Sequence, residues 1–173
     1  QALIAAFEDV EQAASAVAAI IAAGVIPAGL EMMDTPAIIA AEDFVQAGYP
    51  RDAAAILLCE LDGTDAEVQT EIESVSSLLF ECGARSVDIA RDESERQRFG
   101  SGRKNAFPAV GRISPDYYCI DGTIPRRALG EVLSGISELA ARAGLRVANV
   151  FHAGDGNLHP LSLYDSGKPG EFE

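Results

Sequence analysis

The chain has 173 residues, with 13 Lys and Arg against 27 Asp and Glu, a formal net charge of −14, and 48% apolar residues. That balance excludes a disordered tail, a collagenous or disulfide-rich chain, and a nucleic-acid binder that works through a basic face. The length is enough to bury roughly 70% of the unfolded surface, so a compact globule is expected.

In chain order, an apolar run over 3–7 has strand length. A helix is expected over about 8–23, ended by Gly24. A second strand spans 26–33, and Thr35 followed by Pro36 starts a shorter helix. The third strand covers 54–61. Thr64 and Glu67 then have capping-box spacing, Val68, Ile72, Val75 and Leu79 follow at helical steps, and Gly83 stands where a left-handed stop belongs. After a strand over 86–90, Asp92 with Glu95 opens another helix. A strand over 117–121 precedes a helix that begins at Pro125, carries Leu129, Val132, Leu133, Ile136 and Leu139 on one stripe, and stops at Gly144. The last strand runs over 146–152.

Each long helix is thus flanked by two strands, which predicts an α+β fold of ferredoxin-like βαβ units, an antiparallel sheet with helices covering one face. One domain is expected over 1–165, with a loose polar end over 166–173. Cys59, Cys82 and Cys119 have no metal-knuckle spacing and read as buried apolar residues in a reducing, cytoplasmic compartment. The Ala-rich run over 13–26 is too short to span a bilayer and lacks the basic flank of a signal peptide.

Charge is uneven: no Lys or Arg precedes Arg51, whereas Arg91, Arg96, Arg98, Arg103, Lys104 and Arg112 crowd one stretch. This is either a solvated helix face with ion pairs or an anion-capture patch. Both histidines fall in one short segment, His152-Ala-Gly-Asp-Gly-Asn-Leu-His159. Asp155-Gly156 signals a two-residue hairpin turn, which would set His152 directly opposite His159 on one side of the sheet. Two such imidazoles either converge on a divalent metal, Zn, Mn or Fe, or simply plug the end of a hairpin. Asn157 either contacts a ligand or supports a positive-φ turn. Ser101 between glycines lacks the nucleophile-elbow pattern, and Gly154-Asp155-Gly156 lacks the third glycine of a dinucleotide fingerprint.

Five stretches, Gly29-Leu-Glu-Met-Met-Asp34, Ala55-Ile-Leu-Leu-Cys-Glu-Leu-Asp-Gly63, the segment from Gly102-Arg103-Lys104 to Tyr118, Asp121-Gly-Thr-Ile-Pro125 and the turn from His152 to Pro160, occur in the order of a known family. The chain resembles the C-terminal cap domain of FAD-linked oxidases of the vanillyl-alcohol-oxidase superfamily, within it the group of bacterial glycolate oxidase flavin subunits and D-lactate dehydrogenases. The resemblance implies a flavin enzyme that oxidises glycolate or D-lactate to the 2-oxo acid. It implies His152 and His159 as ligands of a divalent metal, foremost Zn. It also implies Arg103 as partner of the substrate carboxylate, and Asn157 facing substrate and flavin. An FAD-binding domain before these residues, a Gly-Glu-His-Gly motif after them and electron-accepting subunits are implied too, so no complete catalytic set is expected here. The family's usual Trp before the Gly-Arg-Lys is replaced, in Phe99-Gly-Ser-Gly-Arg103, by glycine at position 100, which predicts a cavity or a differently packed loop beside Arg103. A free-standing ferredoxin-like module binding a small carboxylate or metal, and a metal-dependent hydrolase using both histidines and an Asp, are the alternatives from other classes.

Overall fold

The computed structural model describes residues 1–171. The loose end expected over 166–173 extends to residues 172 and 173, which lie outside the described residues.

Four strands, β1 (Ala2–Phe7), β2 (Gly29–Asp34), β3 (Ala55–Glu60) and β4 (Ser86–Ile89), pair in the order β4-β1-β3-β2, all antiparallel. Helices α1 (Val10–Ala22) and α3 (Asp65–Glu81) make the two crossovers of a ferredoxin-like unit. The sheet continues from β2 onto β7 (Arg146–His152), whose far edge pairs with β8 (Asn157–Leu158) and β9 (Pro160–Tyr164). β5 (Asp116–Cys119) pairs with β9, and β6 (Gly122–Thr123) with β8. Every strand expected from sequence is present; the short strands β6, β8 and β9 are additional.

Helices lie on both faces rather than on one. Leu3, Ala5 and Phe7 of β1 face α1, α3 and α6 (Leu129–Ala143), whereas Ala2, Ile4 and Ala6 face α2 (Thr35–Val45), α4 (Glu93–Lys104) and α5 (Ala106–Val110). A strand covered on both sides has no polar side to alternate with, which is why β1 reads Ala-Leu-Ile-Ala-Ala-Phe. Burying both faces at about 25 cal/mol per Å2 of apolar area is the main force that holds the layers.

Local caps set the helix starts. Thr64 and Glu67 form the expected capping box, and Asp92 caps α4 by accepting from the Glu95 N–H at 2.9 Å. α2 starts at Thr35 as expected; its cap is Asp34, and the Thr35 hydroxyl donates to the Ala53 carbonyl at 2.8 Å. The helix expected from Pro125 begins with a 3-10 turn over Arg126–Ala128 and becomes α-helical at Leu129. Cys59 is buried as expected, but Cys119 is exposed on β5, since that strand lies at the sheet's edge.

Asp34 also joins the two halves of the sheet. Its Oδ1 accepts from the Ala37 N–H at 3.2 Å and its Oδ2 from the Asn149 amide at 2.8 Å. Burial outweighs these bonds and pushes the carboxyl from its ordinary 3.8 up to about 6. A folded pKa above the unfolded one favours the neutral acid in the fold. This contribution to stability is complete below about pH 3.8 and is lost as pH rises through about 6. Asp34→Asn removes the charge, keeps its one amide oxygen as the cap for the Ala37 N–H, and turns its NH2 toward Asn149, whose Oδ1, buried without a partner, accepts it once that amide flips. The variant is expected to exceed the wild type in stability at pH 7.5, by on the order of 2 kcal/mol, with the gap closing near pH 4. Denaturant titrations at both pH values measure this, and a gap independent of pH would refute it.

Candidate functional site

Alternation along β2 sends Leu30 and Met32 into one core and Met33 into the other, and Glu31 follows Met33. A carboxylate on that inward face needs partners. It has two. Glu31 Oε2 accepts from Arg103 Nε at 2.9 Å and Oε1 lies 2.7 Å from His152 Nδ1. Both carboxylate oxygens are therefore engaged, one by α4 and one by β7. Arg103 and Glu31 side chains are only 15% and 21% exposed, whereas His152 is 45% exposed and gives the cluster its open side.

The register explains the convergence. Glu31 pairs with His152 across β2 and β7, His152 with Asn157 across β7 and β8, and Asn157 with Thr123 across β8 and β6. Paired residues share a face, so these side chains form a row across the sheet. The expected pairing of His152 with His159 is corrected. The register that joins Asn149 to Pro160 and His152 to Asn157 places His159 across from Val150. The shift is two residues, and a two-residue shift preserves the face. Both histidines still meet, with ring centroids 5.6 Å apart at 84°.

The turn itself differs for a non-local reason. In place of a two-residue turn, Ala153–Asp155 form a 3-10 turn closed by Gly156 at φ 70°. The Ile124 N–H donates to the Gly156 carbonyl at 2.9 Å, and Arg126 Nε donates to the Gly154 carbonyl. These bonds from the β6 end hold the longer loop. Gly156, not Asn157, carries the positive φ, so the turn role weighed for Asn157 falls away. Asn157 Oδ1 is instead buried without a hydrogen-bond partner among the described residues.

His159 is the more enclosed of the two, with Nδ1 3.8 Å from Asp121 Oδ1 and its ring 6.4 Å from Phe107. Each Nδ1 thus faces a carboxylate, and among the described residues neither Nε2 has a hydrogen bond. A carboxylate hydrogen-bonded to Nδ1 is the usual way to aim the other nitrogen of a metal-binding imidazole, and Glu31 makes that bond to His152, whereas Asp121 at 3.8 Å from His159 stands beyond hydrogen-bond reach. No group of three or more His, Cys, Asp or Glu among the described residues is placed to hold a metal by itself. A cavity of about 350 Å3 opens beside Glu31 and His152, also lined by Arg126, Gly154 and Asp155.

The rest of the basic stretch is a solvated face. Arg91 and Arg98 pair with Glu95, and Arg96 pairs with Glu93 and Glu60. Arg103 alone of these turns inward to the histidine site. The Ser101 hydroxyl donates to the Arg98 carbonyl at 2.7 Å within α4, consistent with its rejection as a nucleophile. α4 runs unbroken through Gly100, where an added Cβ would meet only the end of the Lys104 side chain, and the ring of Tyr49 packs against Gly102. Glu31 is the member of this cluster that motif reasoning passes over; its one signal is a charge placed between Leu30 and Met32.

The whole chain, residues 1–173, matches the family described as FAD linked oxidases, C-terminal domain. The chain belongs to that family. It is 65% identical over 170 residues to the glycolate oxidase subunit GlcD of Escherichia coli K12, covering 98% of this chain and 34% of that protein. Identity is 35% over 171 residues to GlcD of Bacillus subtilis, covering 99% and 36%. It is 28% over 178 residues to the D-lactate dehydrogenase of Anaerostipes hadrus, covering 99% and 38%. The chain therefore spans about a third of these relatives. The fold is also that of p-cresol methylhydroxylase with substrate bound, at TM-score 0.69 and 14% identity, covering 98% of this chain and 40% of that one. No helix among the described residues is long and apolar enough to cross a membrane.

Gly156 sits where the turn that carries both histidines is tightest. A Cβ there would collide with the Ile124 carbonyl oxygen and would occupy a left-handed backbone. Gly156→Ala is expected to lower stability by at least ~1 kcal/mol, read as a fall in denaturation midpoint. Gly122→Ala on the neighbouring strand, where a Cβ meets nothing within 4 Å, should shift it little. Equal midpoints for the two would show that the turn does not constrain the site.

Proposed function

We propose that these residues form the substrate-capping domain, over 1–165 with a polar end over 166–173, of a flavin-dependent oxidoreductase that converts glycolate or D-lactate to the 2-oxo acid. The observation that carries the reading is the Arg103–Glu31–His152 linkage beside His159, in a chain that belongs to an FAD-linked family.

Glu31 occupies Nε of Arg103, and among the described residues neither Nη donates a hydrogen bond. That end of the guanidinium is the part that can clamp a carboxylate with two N–H donors. His152 and His159 would hold a divalent cation, foremost zinc, through Nε2, with Glu31 orienting the His152 ring from Nδ1. Asn157, with its unpaired buried Oδ1, faces substrate and flavin. When bound, the metal supplies Lewis acidity toward the substrate hydroxyl and the flavin, held mainly by a domain outside these residues, accepts the hydride. Arg103 and the histidine row then fix the acid by both ends, and the α-carbon lies between them. Subunits that take electrons onward, as the subunit naming of GlcD suggests, and a cytoplasmic location complete the reading.

The test uses the full-length protein. Anaerobic glycolate or D-lactate is expected to bleach its visible flavin band, and Arg103→Ala to raise the half-saturating acid concentration by about 10- to 100-fold. Neither acid bleaching a folded, flavin-loaded protein would end the reading. Elemental analysis should find about one divalent metal per chain, lost in His152→Ala; wild type without metal would remove the metal assignment and leave the flavin one. Tight zinc binding by these residues alone would favour the hydrolase instead.

A further inference from the structure

The side chain of Tyr49, from the loop after α2, enters the backbone of α4. Its hydroxyl donates to the Phe99 carbonyl and accepts from the Arg103 N–H at 3.2 Å. Phe99 and Arg103 stand in the i, i+4 relation, so these are the two groups that an uninterrupted α-helix joins directly. A phenol has one donor and one acceptor side, which suits it to bridge such a pair. Burial keeps the proton on, pushing the Tyr49 pKa well above its ordinary value.

The sequence makes room for this bridge. A Cβ on Gly102 would lie 2.6 Å from Cζ of the Tyr49 ring, so only glycine admits the ring at that place. Tyr49 is 3% exposed and Phe99 7%. The loop is pinned as well: the Tyr49 N–H donates to Glu42 Oε1 at 2.8 Å, and Pro50 follows. The bridge ends on Arg103, whose side chain is the one that reaches Glu31. A side chain bonded to both groups of one ladder step ties that turn of the helix to the loop it comes from.

We infer that Tyr49 is a positioning residue for Arg103. Its hydroxyl sets the last turn of α4 so that the guanidinium meets Glu31 beside His152, and it thereby sets the affinity for a substrate carboxylate. The inference rests on Arg103 as the carboxylate partner. A displacement near 1 Å is enough to cost a reaction up to about 100-fold, and the Tyr49 hydroxyl holds the two backbone groups of the turn that carries Arg103.

The experiment is Tyr49→Phe in the full-length enzyme, which keeps the ring against Gly102 and removes only the hydroxyl. KM for the 2-hydroxy acid is expected to rise about 10-fold with kcat changed far less, and the inhibition constant of oxalate to rise by the same factor. In an Arg103→Ala background the same substitution should leave KM unmoved, because its effect passes through Arg103. A lower melting temperature with unchanged KM and oxalate inhibition would overturn the inference and leave Tyr49 a packing residue. A crystal structure of the variant decides the placement without any turnover. A guanidinium moved off Glu31 supports it, and an unmoved guanidinium refutes it. Should the wild type oxidise neither acid, the proposed function fails, and the crystal structure still decides whether Tyr49 positions Arg103.

Discussion

The carboxylate of Glu31 is the constraint on which the site depends. One group on the middle layer of the molecule binds a helix through one oxygen and a strand through the other. It can do so because β2 is covered on both faces, so that a residue on its α4 side is turned toward that helix. A charge in such a place is costly unless paired. Arg103 offsets it, and the cost of leaving either one alone holds α4 against the sheet. The histidine row inherits its position from the same carboxylate, since His152 is the residue across from Glu31.

The two-sided sheet explains why the site sits where it does. Core packing uses Leu30, Met32 and Phe151 on one side and Met33, Val150 and Leu161 on the other. At Glu31, His152 and Asn157, on the same side as Met33, polar side chains take over: Arg103 of α4 covers Glu31, and His152 is left half-exposed. The candidate row is thus the polar margin of a core, held by the strands that continue into it. Rigidity is what orientation by both ends of a small acid requires.

What could be read from residues alone followed the range of the interactions. The capping box at Thr64 and Glu67 and the stop at Gly144 are local, and both stand as expected. Thr35 opens α2 as expected, but the cap that fixes this start is Asp34, since Ala53, distant in sequence, claims the Thr35 hydroxyl. The histidine turn was misplaced by two residues because Ile124 and Arg126 hold it from outside. The histidines were nevertheless placed on one face, since a strand's side-chain period is two and an even slip leaves the face unchanged. Arg103 came from the resemblance and was indistinguishable by composition from Arg96 or Arg98. Glu31 and Tyr49 act through partners remote in sequence, and no spacing announces them.

Charge bears on how such a site could capture an acid. A chain of net charge −14 repels a carboxylate at a distance, so attraction must operate within the site, inside about one Debye length of roughly 8 Å. There, Arg103 is already paired with Glu31, and the two cancel. A carboxylate arriving at the free Nη edge therefore meets a hydrogen-bonding fork but little net charge. The proposed divalent cation on His152 and His159 would change that sign locally, adding positive charge beside an arginine whose direction is already set. In this reading Arg103 confers orientation and the metal confers attraction. The Arg103–Glu31 pair then has a further use: a lone arginine would hold any anion, whereas a neutralised one favours the ligand that also reaches the histidines.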